Sequence, residues 1–289
     1  MKCDLCPRKC LVDRKKGEKG ICGQTENLKV ARAALHFWEE PCISGDAGSG
    51  AVFFSGCPLH CVFCQNENIA NGTVGKEISL ERLVDIFLEL QEKRANNINL
   101  VTPGHFVPQI VKALDQARKE GLTLPVVYNT SSYETVDTIK MLEGYVDIYL
   151  PDFKYMSPVL SKKYSHAPDY AEVAKAAIAE MVRQTGKAVF VNGDEDNLIL
   201  SGTIVRHLTL PGCMADSMQI LKYLHDTYGD MIYISIMNQF TPLSNLEKYP
   251  ELNRRITDEE YETLVDYAIE IGIENGFIQE GNTCLLYTS

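Results

Sequence analysis

From residue 51 onward the chain repeats one local pattern, a short apolar run suited to a buried strand followed by a stretch with apolar residues at helical spacing. Strands joined through helices run parallel, because the chain must cross back before starting the next strand in the same direction. The strand-like runs are 51–55, 98–102, 124–129, 146–150, 188–191, 203–210 and 232–237, with a short one at 277–279. The helix-like stretches are 80–95, 106–120, 134–143, 170–184 and 215–228, and a last one follows the capping-box spacing Thr257/Glu260. Leu80, Leu83, Val84, Phe87 and Leu90 share one face of the first helix, behind Ser79 at its N-cap, and Asp169 and Glu172 have capping-box spacing before the fourth. Gly121 and Gly144 stop two others. About six such units predict an α/β protein, a partial TIM barrel.

A parallel barrel does its chemistry where the C-terminal ends of its strands meet. Directly after the first strand stands Ser55-Gly56-Cys57-Pro58-Leu59-His60-Cys61-Val62-Phe63-Cys64-Gln65-Asn66. Thiolates are the ligands that iron-sulfur clusters select, and this spacing lets one loop deliver three of them to a cube that has four irons. Three thiolates leave one iron open to a small molecule. Zinc is the competing reading and wants a fourth ligand. His60, the local candidate, lies inside the same tight loop, where a regular tetrahedron is awkward, so the cluster is the better fit.

Cys57-x3-Cys61-x2-Cys64, with the aromatic Phe63 before the last cysteine, resembles the signature of the radical S-adenosylmethionine (SAM) superfamily. The stretches from Glu39-Glu40-Pro41-Cys42-Ile43-Ser44-Gly45 through Cys64-Gln65-Asn66 resemble its pyruvate formate-lyase activating enzyme-like members, with similarity running to about Glu280. The resemblance implies an oxidoreductase in which the open iron chelates SAM. An electron from the cluster would cleave SAM to methionine and a 5'-deoxyadenosyl radical, which takes a hydrogen atom from the substrate. Activation of a glycyl radical enzyme is the most family-like version. The alternatives are radical modification of another peptide or small molecule, and a non-catalytic iron-sulfur or zinc protein.

The resemblance also assigns SAM contacts. Phe63 would lie beside the adenine, or serve as a core aromatic, or both. After the second strand the superfamily commonly carries Gly-Gly-Glu-Pro for the SAM amino group, whereas this chain has Thr102-Pro103-Gly104-His105. Without the glutamate, recognition falls to Thr102, to backbone carbonyls or to a water, and His105 is either part of the site or a structural histidine. Asn129, Ser131 and Ser132 follow the third strand and suit ribose or carboxylate, although Asn-Thr-Ser-Ser is also ordinary turn chemistry. Asp152 and Lys154, after the fourth, form either a buried salt bridge or a contact to SAM or substrate. Alternation lets only one of Arg206 and His207 face the barrel, and Arg206 is the choice for a carboxylate. Asn238 and Gln239 close the sixth strand within reach of adenine edges.

Residues 1–45 form a cysteine-, lysine- and glycine-rich segment with little periodicity, and the barrel is expected over 46–284. Cys3, Cys6, Cys10 and Cys22 give four thiolates in a stretch too small for its own core, and a metal would supply the missing folding energy. Four ligands fit a structural zinc or a fully ligated second 4Fe-4S cluster that could relay electrons. Cys42, Cys213 and Cys284 are expected as buried or unpaired thiols, and residues 285–289 do not resemble the family's closing strand and are set aside as a non-native tail.

The net charge of −11 argues against a general nucleic-acid binder. Residues 1–32 nonetheless carry nine Lys or Arg against four Asp or Glu, either a solvated face or a docking surface for an acidic electron donor such as flavodoxin or ferredoxin. No apolar run approaches membrane-spanning length, and Met1-Lys2-Cys3-Asp4 opens no signal-peptide pattern, so a cytoplasmic protein with reduced thiols is expected.

Overall fold

The computed structural model describes residues 2–193, 197–243 and 246–279. Cys284, the tail and most of the acidic turn at 193–197 lie outside the described residues. The strands are β1 (Lys29–His36), β2 (Ser49–Phe54), β3 (Lys76–Glu77), β4 (Ile98–Val101), β5 (Val126–Thr130), β6 (Ile148–Pro151), β7 (Val189–Phe190), β8 (Ile199–Leu208), β9 (Tyr233–Met237) and β10 (Gly276–Ile278). They form one sheet in the order β10-β9-β8-β6-β5-β4-β2-β1-β3, with β7 paired to β8. Every neighbouring pair from β2 to β10 along this path is parallel. The sheet curls without closing, as a partial TIM barrel does. Among the described residues no helix is long and apolar enough to cross a membrane.

Alternation sorts the side chains of each strand onto two faces. In β5, Val126 and Tyr128 pack outward with the helices Leu80–Glu92 and Val107–Lys119, while Val127 points into the barrel beside Ile43, Ile148, Ile204 and Tyr233. The outer face of the other half is covered by the helices Tyr170–Thr185, Met214–Tyr228 and Asp258–Glu270. Leu83 and Phe87 are fully buried, each contributing about 1.5–3 kcal/mol of apolar burial.

The helix signals act as expected at two ends. Ser79 accepts a hydrogen bond from the Arg82 amide, and Thr257 and Glu260 form a reciprocal capping box. The third signal does not. Asp169 makes no cap, because its carboxylate accepts the Tyr133 hydroxyl at 2.9 Å. The helix expected over 134–143 shortens to Val136–Lys140, capped by Thr135.

The larger departure is β1, which lies in the segment that shows little periodicity. It runs antiparallel along all of β2, and the turn after it carries Cys42 and Ile43 into the floor of the barrel. Cys42 and Cys213 are both buried.

Candidate active site

β2 delivers the three-cysteine loop to the mouth of the barrel. Its first turn requires Gly56, at φ +91°, because a Cβ there would stand 2.5 Å from the carbonyl oxygen of Cys22. The amino-terminal segment is therefore in backbone contact with the loop. His60 adopts φ +50°, and its Nε2 donates to the Ile21 carbonyl at 2.8 Å while Nδ1 lies 3.2 Å from Asn71. Engaged in this way, His60 is no candidate for a fourth metal ligand.

Cys57, Cys61 and Cys64 are free and half-buried. Burial pushes the Cys57 thiol up to about 11, with Cys61 adding to the rise, and pushes Cys64 up to about 12, with Cys61 and Cys57 adding. Burial also raises Cys61, against the nearby Lys154 ammonium. Three such thiolates need a positive centre. The surroundings offer them donors: Ser165 Oγ donates to Cys61 Sγ at 3.1 Å, and the Leu59 amide to Cys57 Sγ at 3.4 Å. Three thiols on one loop, with His60 engaged elsewhere, supply three corners of a cluster and lack the fourth ligand that a zinc site wants.

Inside the barrel lies an ionic network centred on Arg206. Its Nε donates to Asp152 Oδ1 at 2.9 Å, Nη1 to Glu39 Oε2 at 2.9 Å and Nη2 to Asn129 Oδ1 at 2.7 Å. Glu39 Oε1 accepts from the Asn99 and Asn129 amides, each at 3.2 Å, and Lys154 Nζ sits 2.6 Å from Asp152 Oδ2. Burial works against the charge on Asp152, but Lys154 and Arg206 outweigh it and hold the carboxyl below its ordinary range. Glu40 lies beside this network, buried, with Oε2 unpartnered, and burial raises its pKa against the pull of Arg206.

Glu39 and Glu40 are the site residues that sequence reasoning missed. Both belong to the stretch that carries the family resemblance, but nothing local says that an acidic pair before Pro41 turns into the barrel. The signal available was their charge beside an apolar turn, and only the path of β1 gives it meaning.

The other named residues separate into groups. Arg206 faces the interior, and its carboxylate partners are the protein's own. His207 points outward, where Nδ1 donates to the Phe153 carbonyl and Nε2 accepts from Ser217, each at 2.8 Å. Phe63 is buried edge-on to Tyr155, Tyr164 and Phe240. Thr102, at φ +55°, donates its amide to the Asn129 carbonyl. The Ser131 carbonyl accepts from the Tyr170 hydroxyl, and Ser132 Oγ donates to the Asp152 carbonyl. Asn238 donates to the Gln279 carbonyl, while the Gln239 carbonyl accepts from Gln65, next to Cys64.

Gly104 and His105 sit away from the network. A Cβ on Gly104 would meet both carboxylate oxygens of Glu134 at 2.4 Å, and His105 is buried with Nε2 donating to the Ser55 carbonyl at 2.7 Å. His105 thus props the backbone that enters the cysteine loop.

Burial lowers the pKa of His207 to about 4. Its folded-state value is depressed, so its contribution is fully present above the ordinary value of 6.5 and is lost as pH falls toward 4, costing up to about 3 kcal/mol. Urea unfolding of the His207→Asn variant is expected to show a shallower pH dependence over that window, by up to one proton. An unchanged slope would contradict the neutral buried imidazole.

A family model described as the Radical SAM superfamily matches residues 51–197. An uncharacterized protein of Methanocaldococcus jannaschii is 27% identical over 281 residues, covering 94% of this chain and 75% of that one. Among solved structures, SuiB of Streptococcus suis bound to S-adenosylmethionine superposes with a TM-score of 0.53 at 13% identity over 79% of this chain and 49% of that one. HydG, a maturase of the [FeFe]-hydrogenase, gives 0.52 at 14% identity over 78% of this chain and 50% of that one. The chain spans about half the length of these two solved proteins, and the likeness to them is one of fold. The family model covers more than half of the chain, which belongs to the radical SAM superfamily. Membership implies a 4Fe-4S cluster and SAM as cofactors of an enzyme.

Proposed function

We propose that the protein is a radical SAM enzyme whose Cys57, Cys61 and Cys64 hold a 4Fe-4S cluster with one iron left for SAM, and that its radical takes a hydrogen atom from a glycyl radical enzyme. The observation that carries the SAM-cleaving reading is the placement of all three thiols on one loop at the C-terminal end of β2, above a polar barrel interior, and the glycyl radical partner rests on the resemblance of residues 39–66. When bound, the cluster supplies the electron that cleaves SAM reductively.

The chain's own residues supply binding and position. Lys154, next to Cys61, is placed to offset the negative charge of the cluster or of the SAM carboxylate. Thr102, Asn129, Ser131, Asn238 and Gln239 stand at strand ends, where ribose, amino group and adenine would be met, with Asp152 and Arg206 below. Phe63 walls the cluster loop from the core side, and Gly104 and His105 hold the neighbouring turn, with His105 against the Ser55 carbonyl. Cys3, Cys6, Cys10 and Cys22 hold a second metal centre. An acidic one-electron donor of the flavodoxin or ferredoxin type fits the exposed Lys2, Lys9, Lys15, Lys16 and Lys19. Arg8 and Arg14 do not belong to that face, since both are spent on backbone carbonyls.

The test is anaerobic reconstitution with iron and sulfide, reduction with dithionite and addition of SAM. 5'-Deoxyadenosine and methionine are expected in equal amounts. With a co-encoded glycyl-radical-type protein, a glycyl radical doublet in electron paramagnetic resonance is expected. Product without the doublet would favour a different peptide or a small molecule as hydrogen donor, and no product would overturn the enzymatic reading.

A further inference from the structure

We infer that the four amino-terminal thiols and Arg8 form a metal-dependent clamp on the loop that carries Cys57, Cys61 and Cys64. This rests on reading those three cysteines as the cluster's ligands.

The contacts run from one cysteine set to the other. The Arg8 guanidinium, two residues after Cys6, donates to the Pro58 carbonyl at 2.9 Å, the Ser165 carbonyl at 3.0 Å and the His166 carbonyl at 2.6 Å. Pro58 follows Cys57, and Ser165 is the residue whose hydroxyl donates to Cys61 Sγ. At the other end of the set, the Ile21 carbonyl accepts from His60, and the Cys22 carbonyl packs on Gly56. The loop is thus gripped at Gly56, Pro58 and His60 by groups that lie between Cys6 and Cys22. One planar guanidinium that satisfies three carbonyls fixes their relative positions, as a flexible ammonium would not.

Outside the thiols, Arg8 has the Tyr133 ring 5.1 Å from its guanidinium, and its segment is tied to the barrel by Thr138 Oγ, which donates to the Leu5 carbonyl at 2.6 Å. Leu11 is 53% exposed and Ile21 49%, so this segment buries few large apolar side chains. Lys9 and Leu11, on either side of Cys10, hold φ of +41° and +55°, a conformation that costs a non-glycine residue roughly 1–2 kcal/mol. Something must offset that strain. Cys6 and Cys22 are buried, and the Ile21 amide donates to Cys10 Sγ at 3.3 Å. Gly20 leaves the space that Cys10 occupies, since a Cβ there would stand 2.8 Å from Sγ. Four thiolates with an amide donor and a glycine cradle suit a thiophilic metal centre, whose bond energy becomes folding energy for the segment.

The experiment compares the full chain, reconstituted anaerobically, with Arg8→Gln, Arg8→Lys and Cys3→Ser/Cys6→Ser. Iron and zinc per chain are measured, together with amide hydrogen exchange over residues 56–66 and loss of the SAM-responsive cluster signal to a chelator. The double cysteine variant is expected to lose the second centre's metal, iron or zinc by the assay. It and Arg8→Gln are expected to exchange about tenfold faster over 56–66 and to lose the cluster signal faster, with Arg8→Lys between, while exchange over 258–270 stays unchanged. Arg8→Gln keeps all four cysteines and so separates the clamp from the metal. Equal metal content in the double variant and parent, or unchanged exchange over 56–66 in both variants, would overturn the inference. Failure of SAM cleavage in the parent would bear on the proposed function alone, because exchange and metal content read the clamp without turnover.

Discussion

Replacing Cys57 with alanine is expected to abolish 5'-deoxyadenosine formation from SAM while leaving the fold in place. On the proposed reading the alanine removes one of three cluster ligands, and His60 cannot substitute because it is committed to Ile21 and Asn71. The loss should exceed the roughly 10–100-fold that removal of an outer-shell partner costs, and fall to background. Cys61→Ala and Cys64→Ala should behave alike. The check is product formation together with iron content and the reduced cluster's paramagnetic signal with and without SAM. A variant that kept both signal and turnover would remove the loop from the site. The side chain of Cys57 is small and half-buried, so circular dichroism should be unchanged and the defect chemical.

The second large effect is on stability. Arg206→Met should destabilise the protein by about 3–5 kcal/mol, because it leaves Glu39 and Asp152 buried without the cation that both share. Urea denaturation measures it, and a change within about 0.5 kcal/mol would show that water reaches the network freely. Arg206→Lys should recover only part, since an ammonium cannot hold Asp152, Glu39 and Asn129 in one planar fork. The pH dependence has a definite sign. In the parent, Asp152 lies below its ordinary value of 3.8, so its stabilisation is present above that value and is lost as pH falls through the folded one. Without Arg206 that carboxyl titrates higher, and the deficit of the variant should be larger at neutral pH than in acid. Adding Glu39→Gln to Arg206→Met should restore part of the loss, and the size of that recovery measures the coupling.

The barrel was legible because its two signals are local. Parallel strands buried on both faces read as continuous apolar runs, and Ser79 and Thr257 mark helix starts with nearby partners. Asp169 misled because the same spacing that makes a cap also leaves an oxygen free for a distant hydroxyl, and Tyr133 took it. β1 was illegible because a half-exposed strand shows weak alternation, and its pairing with β2 is set by the fold rather than by any local pattern.

The three-cysteine loop, its place after a strand and the absence of a local fourth thiol follow from the order of residues alone, since ligand spacing and strand propensity act over a few positions. Which acids share the chamber with Arg206, and which groups grip the loop from behind, was decided by tertiary structure. Glu39 precedes Arg206 by 167 residues, and Arg8 precedes His166 by 158. Contacts at such separations depend on how the sheet curls, and no local pattern of the chain records it.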